Sequence, residues 1–575
     1  MFYGKVQHKN GRLCIEQPVI YSIEQYQQME QRFLPVYTVP KGISNNQMQK
    51  MIRAALEQEV LFPEYLPEEL REKYRLCEYN YAIKQIHFPD DMNAVITARK
   101  RLVFDELFLF VLNLQYQKQK KERELNRFHF LEDTFIENLI SKLPYELTNA
   151  QVQVLQEIRQ DMRSSYAMQR LVQGDVGSGK TVIAFLAMAD CFHNGYQSAI
   201  MAPTEVLAEQ HYESFKKMCE TFELDIPLIL ITGSMTAKQK KEAYEQLQKH
   251  PNAMVIGTHA LIQDKVVYHN LALVITDEQH RFGVKQRETF ALKGQMPHVL
   301  VMSATPIPRT LAIILYGDLD ISVVDEVPAK RLPIKNCVVN TKYRPKAYEF
   351  ITKEVEKGHQ AYVICSLVEE SENAEAENVT DYSKMLQKEL PEHIKVGLLH
   401  GQMKPKQKNE VMEQFAKNEI HVLVSTTVVE VGVNVPNATV MMIENAERFG
   451  LAQLHQLRGR VGRGDAQSYC IMINATDTEK SRKRLDILNR SNDGFEIANE
   501  DLKLRGPGDF FGIRQSGEMQ FTLADIYQDA MILQQVAGEV TRLLEEDPDL
   551  NLSKNVGLKQ YLLSYLGEKH NKLQL

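Results

Sequence analysis

The sequence is poor in cysteine, with seven such residues among 575. They are scattered and no two form a C-x-x-C pair, so the pattern argues against a structural zinc site and against a disulfide framework. A reducing compartment suits such a sequence. The cysteines are Cys14, Cys77, Cys191, Cys219, Cys337, Cys365 and Cys470.

Long apolar runs are also missing. No stretch reaches about 18 consecutive apolar residues, so we expect no membrane-spanning helix and no membrane partner. The chain starts MFYGKVQHKN, which has no apolar segment behind a basic one, and we expect no secretory signal there. Together with the cysteine pattern, these absences predict a cytoplasmic protein.

Positive charge is not in excess either, because the formal net charge is −7. The protein is therefore not a polycation that coats nucleic acid, and any nucleic-acid contact must come from local basic surface. A length of 575 residues predicts roughly three or four domains of ~150 residues each.

The distribution of apolar runs predicts an α/β protein with two successive parallel-sheet domains. Residues 1–40 read as short strands with KNGR as a hairpin turn, like the last part of a β domain. Residues 41–140 are predicted to be helical, starting at a Ser/Asn cap. Residues 141–330 and residues 331–480 alternate apolar runs with helical or loop segments, which is typical of βαβ units. Residues 481–575 are predicted to be mainly helical, with one Gly-rich break at LRGPGDFFG.

The apolar runs themselves are the predicted strands of the two sheets. In the first domain they are RLVQG, SAIMAP, PLILITG, AMVIGT, LALVITDE and HVLVMSAT, and in the second QAYVICSL, IKVGLLHG, HVLVSTT, TVMMIEN and SYCIMI.

The first candidate site is GDVGSGKT, which matches the phosphate-loop pattern G-x-x-x-x-G-K-[ST] between an apolar strand and a helical segment. Its glycines let backbone N–H groups curl around an anion, and the helix N-terminus adds positive potential. We expect Lys180 to reach the β and γ phosphates and the Thr181 hydroxyl to ligate Mg²⁺. The candidate nucleotide-binding residues of this loop are Gly174, Asp175, Val176, Gly177, Ser178, Gly179, Lys180 and Thr181.

Two carboxylates in LALVITDEQH are predicted to complete the site. Asp277 and Glu278 follow an apolar strand, and ligands of parallel sheets bind at that carboxyl edge. We expect Asp277 to hold Mg²⁺ and Glu278 to polarise the attacking water as general base. An acidic pair after a strand is common by itself, but its position after a phosphate loop in the same sheet favours nucleotide hydrolysis.

The stretch LPYELTNAQ has two interpretations that stay open at this point. Gln151 carries a donor and an acceptor that suit an adenine edge, and Tyr145 could stack on the base. The same residues are equally compatible with a helix cap at Thr148 followed by an ordinary surface glutamine.

Three arginines crowd the segment QLHQLRGRVGRG. A DNA-binding surface explains basic residues, but it does not call for glycines interleaved with Arg458, Arg460 and Arg463. An arginine supplied across a cleft stabilises transition-state charge on the γ phosphate, and such fingers raise rates by roughly a thousandfold or more. Two sheet domains that close on one nucleotide would open again after hydrolysis, which predicts a motor.

A family resemblance is carried by motifs in order along the chain. GDVGSGKT, APTEVLAEQH, GTHAL, DEQH, SATPIPRT, STTVVEVGVNVP and QLRGRVGRG resemble the motifs of superfamily 2 helicases. DEQHRFGV narrows the resemblance to the RecG and transcription-repair-coupling translocases, and residues 499–517 resemble the translocation motif that those two share. LLHGQMKPKQKNEVMEQF and CSLVEES are most similar to the RecG family of bacterial ATP-dependent DNA helicases. The resemblance covers essentially the whole chain.

The resemblance implies two tandem RecA-like helicase domains, an ATP-binding domain at 141–330 and a helicase C-terminal domain at 331–480. Before them it implies a partial OB-type wedge at 1–40 and a helical linker at 41–140, and after them a translocation-motif segment at 481–575. It implies ATP and Mg²⁺ as cofactors. It assigns catalytic roles to Lys180, Asp277, Glu278, Gln456, Arg460 and Arg463. It assigns DNA binding or coupling to Thr204, Glu205, Gly257, Thr258, His259, Ser303, Ala304, Thr305, Gly432, Asn434, Arg505, Gly506, Gln515 and Gly517.

The implied activity is ATP-dependent remodelling of branched double-stranded DNA, including fork regression and Holliday-junction migration in recombination and repair. The implied partners are such branched DNA and single-stranded DNA-binding protein, and the implied working form is a monomer. The alternative is a DNA-dependent ATPase that translocates without separating strands, such as a protein-displacing or transcription-repair-coupling factor. The incomplete wedge favours this alternative.

Overall fold

The chain folds into two compact units, Met1–Lys121 with Pro507–Leu575 and Glu122–Gly506. The structure is a computed structural model. It describes residues 2–9, 12–20, 22–23, 33, 35–40, 42–57, 62–120, 125–277, 290, 293–294, 296–304, 312, 319–326, 332–365, 372–426, 435–476, 478–505, 521–525 and 528–572. Within this part of the chain, no helix combines the length and the apolar character needed to cross a membrane.

The first unit is a strand pair and a group of helices. Strands β1 (Phe2–Lys9) and β2 (Arg12–Ile20) pair antiparallel, as the hairpin prediction requires. The helix Asn45–Leu56 is capped by Ser44, whose side chain and that of Gln47 form a reciprocal capping box, as predicted. The α-helices of this unit are Asn45–Leu56, Glu68–Tyr74, Tyr79–His87, Met92–Lys120, Ala530–Glu546 and Val556–Lys572, with a short 3₁₀ turn at Ser553–Asn555.

A buried ion cluster fixes the long helix Met92–Lys120 in this unit. The Arg101 side chain is fully buried, and it donates from Nε to Asp105 Oδ1 at 2.9 Å and from Nη2 to Glu64 Oε1 at 2.6 Å. Burial raises the pKa of Asp105 to about 7, although Arg101 acts to lower it. Asp105 lies on the same helix, so the bond to Glu64 ties that helix to the segment that precedes the helix Glu68–Tyr74, and unpaired buried charges would be costly.

The second unit contains two parallel sheets. The seven strands of the first sheet are β3 (Gln169–Gly174), β4 (Gln197–Met201), β5 (Leu228–Ile231), β6 (Met254–Gly257), β7 (Leu271–Thr276), β8 (His298–Ser303) and β9 (Asp320–Val324), in the order β5-β6-β4-β7-β8-β3-β9. Strands β4, β6 and β7 are buried along their whole length, as parallel strands covered on both faces are. The α-helices of this part are Phe135–Ser141, Asn149–Met162, Lys180–His193, Glu205–Phe222 and Ala237–Lys249, with a 3₁₀ turn at His259–Ile262.

The second sheet has six parallel strands. They are β10 (Lys335–Asn340), β11 (Gln360–Ile364), β12 (Val396–Leu399), β13 (Val422–Ser425), β14 (Ala438–Ile443) and β15 (Tyr469–Asn474), in the order β10-β15-β14-β11-β13-β12. The α-helices that follow from them are Arg344–Glu356, Glu372–Glu389, Pro405–Ala416, Leu451–Arg458, Glu479–Arg490 and Gly494–Arg505, with 3₁₀ turns at Thr341–Tyr343 and Ala446–Arg448. The α/β class and the two successive parallel sheets are therefore confirmed.

His298 is expected to make the fold sensitive to acid. Its ring is fully buried at the start of β8, and its Nδ1 accepts the N–H of Met168 at 2.9 Å. Burial lowers the pKa of His298 to about 4. The unfolded chain has the ordinary histidine pKa near 6.5 and takes up the proton first as pH falls, so the free energy of unfolding should drop by about 2 kcal/mol between pH 7 and pH 5.

Urea unfolding at the two pH values tests this expectation. In His298→Gln, whose side-chain oxygen can still accept from Met168, the loss of unfolding free energy between pH 7 and pH 5 should be smaller by about 2 kcal/mol. The matched control is His393→Gln, because His393 is exposed. Equal acid sensitivity in both variants would show that His298 is not the responsible group.

Candidate functional site

The phosphate loop connects the end of β3 to the helix Lys180–His193. Two of its glycines have left-handed backbone angles, with φ 80° at Gly177 and φ 86° at Gly179, which other residues adopt only with strain. A Cβ on Gly174 would lie 2.6 Å from Ser178 Oγ, and one on Gly179 would collide with the Gln151 amide nitrogen. The loop is therefore a tight cradle that ends at a helix N-terminus, as an anion site requires.

Lys180 lies inside this loop. Its Nζ donates to the carbonyls of Gly174 at 2.7 Å and Asp175 at 2.8 Å, and only 8% of the residue surface is exposed. An ammonium held at this position, together with the backbone N–H groups of the helix start, suits the binding of a polyphosphate. Thr181 follows on the same helix, partly buried.

Gln151 supports the loop from the neighbouring helix Asn149–Met162. Its Oε1 accepts the N–H of Thr148 at 2.9 Å in a capping box, and its Nε2 donates to the Ser178 carbonyl at 2.8 Å. The predicted cap at Thr148 is thus formed, but Gln151 is buried, with 3% exposed, rather than an ordinary surface residue. Tyr145 is 45% exposed, and adenine recognition by these two side chains stays a prediction.

Gln151→Glu is expected to weaken nucleotide binding about 10-fold. A glutamate keeps the acceptor for Thr148 but cannot donate to the Ser178 carbonyl, and losing a buried hydrogen bond costs about 1–3 kcal/mol. Titration of a fluorescent ATP analogue measures the effect. Gln153→Glu is the control, since Gln153 is exposed on the same helix, and equal affinities of the two variants would contradict a role for Gln151 in shaping the loop.

Asp277 follows β7 at the same carboxyl edge of the first sheet. Its N–H donates to the Met201 carbonyl at 3.0 Å, and its Oδ2 lies 2.9 Å from His211 Nε2. Because β8 alone separates β7 from β3, the carboxylate of Asp277 and the hydroxyl of Thr181 reach one edge, and oxygen ligands of this kind suit Mg²⁺. The sequence reasoning missed His211, although it ends the motif APTEVLAEQH.

The predicted DNA-side residues of the first sheet follow the carboxyl ends of β4 and β6. Thr204 caps the helix Glu205–Phe222 by accepting the N–H of Leu207 at 3.3 Å, and Glu205 Oε1 accepts the N–H of Ser234 at 2.7 Å. After β6, Thr258 is buried and His259 is exposed. The side chain of His259 is therefore available to a ligand.

Three further predicted positions also lie near this edge. Gly257 ends β6 and packs so closely that a Cβ would collide with the Ile231 carbonyl. Ser303 ends β8 and is buried, as is Ala304 after it. Since β8 lies between β3 and β7, Ser303 and Ala304 stand between the strand ends that carry the phosphate loop and Asp277.

Several predicted residues lie outside the described part of the chain. These are Glu278, Thr305, Gly432, Asn434, Gly506, Gln515 and Gly517, together with the side chain of Arg505, whose backbone ends the helix Gly494–Arg505. Their predicted roles in catalysis, coupling and translocation stay predictions.

The arginine segment follows the helix Leu451–Arg458, and its arginines have different surroundings. Arg458 is 2% exposed and donates to the carbonyls of Leu488 at 2.9 Å and Ser491 at 2.8 Å. Its partners therefore make it a structural residue of the second sheet domain. Arg463 is partly buried and donates from Nε to the Gly459 carbonyl at 3.1 Å.

Two candidate catalytic residues remain on this segment. Arg460 is 7% exposed. Gln456 is partly buried on the preceding helix.

The same segment contacts the phosphate loop. His455 Nε2 lies 2.6 Å from Asp175 Oδ1, and a Cβ on Gly459 would lie 2.9 Å from the Cβ of Val176. Burial acts to raise the pKa of Asp175, but the hydrogen bond with His455, the Val176 N–H and the nearby charge of Lys180 hold that pKa below its usual value. His455 belongs to the motif QLHQLRGRVGRG, but it was not among the functional residues predicted from the sequence.

Comparison with known families matches three successive segments of the chain. Residues 148–314 match the DEAD/DEAH box helicase family, and residues 345–465 match the helicase conserved C-terminal domain. Residues 491–570 match ATP-dependent DNA helicase RecG, domain 3, C-terminal. The phosphate loop and Asp277 fall in the first segment, and the arginine segment falls in the second.

Individual relatives extend this similarity. The ATP-dependent DNA helicase RecG of Synechocystis sp. is 45% identical over 530 residues, which cover 92% of this chain and 63% of that protein. The solved structure of RecG bound to a three-way DNA junction matches with a TM-score of 0.68 and 40% identity, over 93% of this chain and 70% of that one. The chain thus spans between about three fifths and three quarters of the relatives that it matches.

The ATP-dependent DNA helicase RecG of Bacillus subtilis is 46% identical over 515 residues, which cover 89% of this chain and 75% of that protein. Because that similarity runs through the phosphate loop, both parallel sheets and the segment after them, the chain belongs to the family of ATP-dependent DNA helicase RecG.

Proposed function

We propose that this protein is an ATP-dependent double-stranded DNA translocase and helicase of superfamily 2 that remodels branched DNA in recombination and repair. The observation that carries the proposal is the contact of the arginine segment with the phosphate loop, through His455 and Asp175 at 2.6 Å and through Gly459 against Val176. A nucleotide in that loop would be enclosed by both sheet domains. A motor that works by closing two domains on its nucleotide requires this arrangement.

The proposed nucleotide is ATP, with Mg²⁺ held by Thr181 and Asp277. When bound, the metal would neutralise negative charge on the β and γ phosphates. Lys180 orients the phosphates from inside the loop, and Glu278 draws a proton from the attacking water. Arg460 and Arg463, with Gln456 beside them, stabilise the charge that develops on the γ phosphate.

The proposed DNA track follows the carboxyl edge of the sheets. Thr204, Glu205, Gly257, Thr258 and His259 belong to it in the first domain, and Ser303, Ala304 and Thr305 link it to the nucleotide. Gly432 and Asn434 contribute from the second domain, and Arg505, Gly506, Gln515 and Gly517 from the translocation motif. Contacts should be mainly with phosphates, so binding should tolerate any sequence and weaken steeply with salt.

The chemistry and the substrate are tested in one series. ATP hydrolysis is measured with no DNA, with linear duplex, and with a three-way junction, and displacement of junction arms is followed on labelled strands. We expect the junction to stimulate hydrolysis most and its arms to be displaced only with ATP. A rate of ATP hydrolysis that is the same with no DNA, with linear duplex and with the junction would refute the proposal.

A second candidate is a DNA-dependent ATPase that moves along duplex and displaces protein without separating strands. Junction-stimulated hydrolysis without arm displacement, together with removal of a protein roadblock from linear duplex, would establish this candidate.

The finer assignments belong to the same proposal. We propose the division into an OB-type wedge segment at 1–40, a linker at 41–140, sheet domains at 141–330 and 331–480, and a translocation segment at 481–575. The proposed working form is a monomer in the cytoplasm. Single-stranded DNA-binding protein is the proposed recruiting partner.

A further inference from the structure

A chain of hydrogen bonds runs from the phosphate loop through a buried histidine. Asp175 Oδ1 lies 2.6 Å from His455 Nε2, and His455 Nδ1 lies 2.7 Å from an Arg458 guanidinium nitrogen. His455 is 4% exposed and Arg458 2%. The outer end is anchored, because Arg458 also donates to the carbonyls of Leu488 and Ser491.

The donor and acceptor in each of these hydrogen bonds follow from the chemistry of Arg458 and Asp175. A guanidinium has no acceptor, so His455 Nδ1 must accept from Arg458. The ring proton then stands on Nε2 and is donated to the Asp175 carboxylate, which also accepts the Val176 N–H at 2.6 Å. A neutral imidazole thus bridges a fixed cation of the second sheet domain and a carboxylate of the phosphate loop.

The bridge lies directly before the arginine segment. One residue after His455 comes Gln456, and Gly459, which packs on Val176, begins the turn that carries Arg460 and Arg463. A larger residue at Gly459 would push the two domains apart, since its Cβ would lie 2.9 Å from that of Val176. The position of the arginines relative to the loop is therefore set by close packing and by one buried hydrogen bond.

We propose that His455 is a positioning residue for ATP turnover: its bond to Asp175 fixes the helix Leu451–Arg458, and the arginines after it, against the phosphate loop. The proposal rests on the ATPase activity inferred above and adds a residue that touches the loop rather than the nucleotide. Its loss misplaces the arginines in the transition state while leaving the phosphate cradle, which Lys180 and the glycines form, in place.

The test compares His455→Leu with His455→Gln in the full chain. The leucine removes both hydrogen bonds, whereas a glutamine amide can accept from Arg458 and donate to Asp175. We expect His455→Leu to lower the kcat of junction-stimulated ATP hydrolysis about 10- to 100-fold. The Kd for a fluorescent ATP analogue should change little. The Tm should fall by only about 2–4 °C, because two buried hydrogen bonds are lost in a large unit, and His455→Gln should recover most of kcat. The control is His393→Leu, which replaces an exposed histidine of the same domain.

Other outcomes overturn the proposal. Equal kcat values in His455→Leu and in the His393→Leu control would exclude the positioning role. A fall of nucleotide affinity as large as the fall of kcat would also exclude it, because it would mark a purely structural residue. Failure of His455→Gln to recover kcat would likewise exclude the positioning role. Should His455→Leu not fold, Asp175→Ala breaks the same bond from the loop side and should lower kcat by a similar factor, and an unchanged kcat in that variant would exclude the positioning role.

The failure of this inference can be told apart from that of the proposed function. If the unaltered protein hydrolyses no ATP with any DNA, the proposed function fails. If it is active and only the His455 comparison gives no difference, the ATPase stands and the positioning role is wrong.

Discussion

Arg463→Ala is expected to reduce the kcat for ATP about 1,000-fold or more while the protein still binds nucleotide. The arginine follows the turn that packs on the phosphate loop, and its Nε donates to the Gly459 carbonyl at 3.1 Å. An arginine that meets the γ phosphate acts mainly on the charge of the transition state, so its removal affects turnover far more than ground-state binding.

Steady-state hydrolysis with junction DNA and equilibrium binding of a fluorescent ATP analogue measure the two quantities separately. Arg490→Ala is the matched control, because Arg490 is an exposed arginine of the same compact unit, with 79% of its side chain exposed, and it should leave both quantities unchanged. If Arg463→Ala loses affinity as much as turnover, Arg463 shapes the site and does not act on the transition state.

The central strands of both sheets can be recognised in the sequence because they are buried on both faces. The runs SAIMAP, AMVIGT and LALVITDE become β4, β6 and β7, and no residue of these strands is exposed. Two strands were missed, β9 and β10, and both are sheet edges. Strand β10 has no buried residue, so its sequence KNCVVN lacks the continuous apolar run by which a parallel strand is recognised.

The candidate site could be predicted as far as its motifs are local. The spacing of Gly174, Gly179 and Lys180 encodes a loop whose shape depends on a few adjacent residues, and the structure forms that loop. The partners His211 and His455 could not be predicted in this way, because their roles depend on Asp277 and Asp175, which are distant in sequence. From the sequence alone, a buried histidine that packs in a core cannot be distinguished from one that bridges two domains.

The arginine segment shows the same limit within one motif. Charge and spacing make Arg458 and Arg463 equivalent in the sequence, but helix geometry points them in different directions. Arg458 ends the helix Leu451–Arg458 and turns into the domain, where Leu488 and Ser491 supply carbonyls. Arg463 lies beyond the glycine turn, so the two arginines should fail in different ways when they are replaced.

Arg458→Met is therefore expected to destabilise the fold by about 3 kcal/mol or more. Methionine fills much of the same volume but donates no hydrogen bond, so the carbonyls of Leu488 and Ser491 and the Nδ1 of His455 would be left buried without this donor. Each buried group that loses its partner costs about 1–3 kcal/mol, whereas the aliphatic stem is largely replaced.

Urea unfolding of Arg458→Met beside Arg463→Ala tests the contrast directly. The first variant should unfold at a clearly lower urea concentration, while the second should unfold close to the unaltered protein, because Arg463 is only partly buried. The Arg490→Met variant controls for the loss of an exposed arginine in the same compact unit. A fall in stability with Arg463→Ala as large as that with Arg458→Met would mean that both arginines support the fold, and the assignment of Arg463 to the γ phosphate would lose its basis.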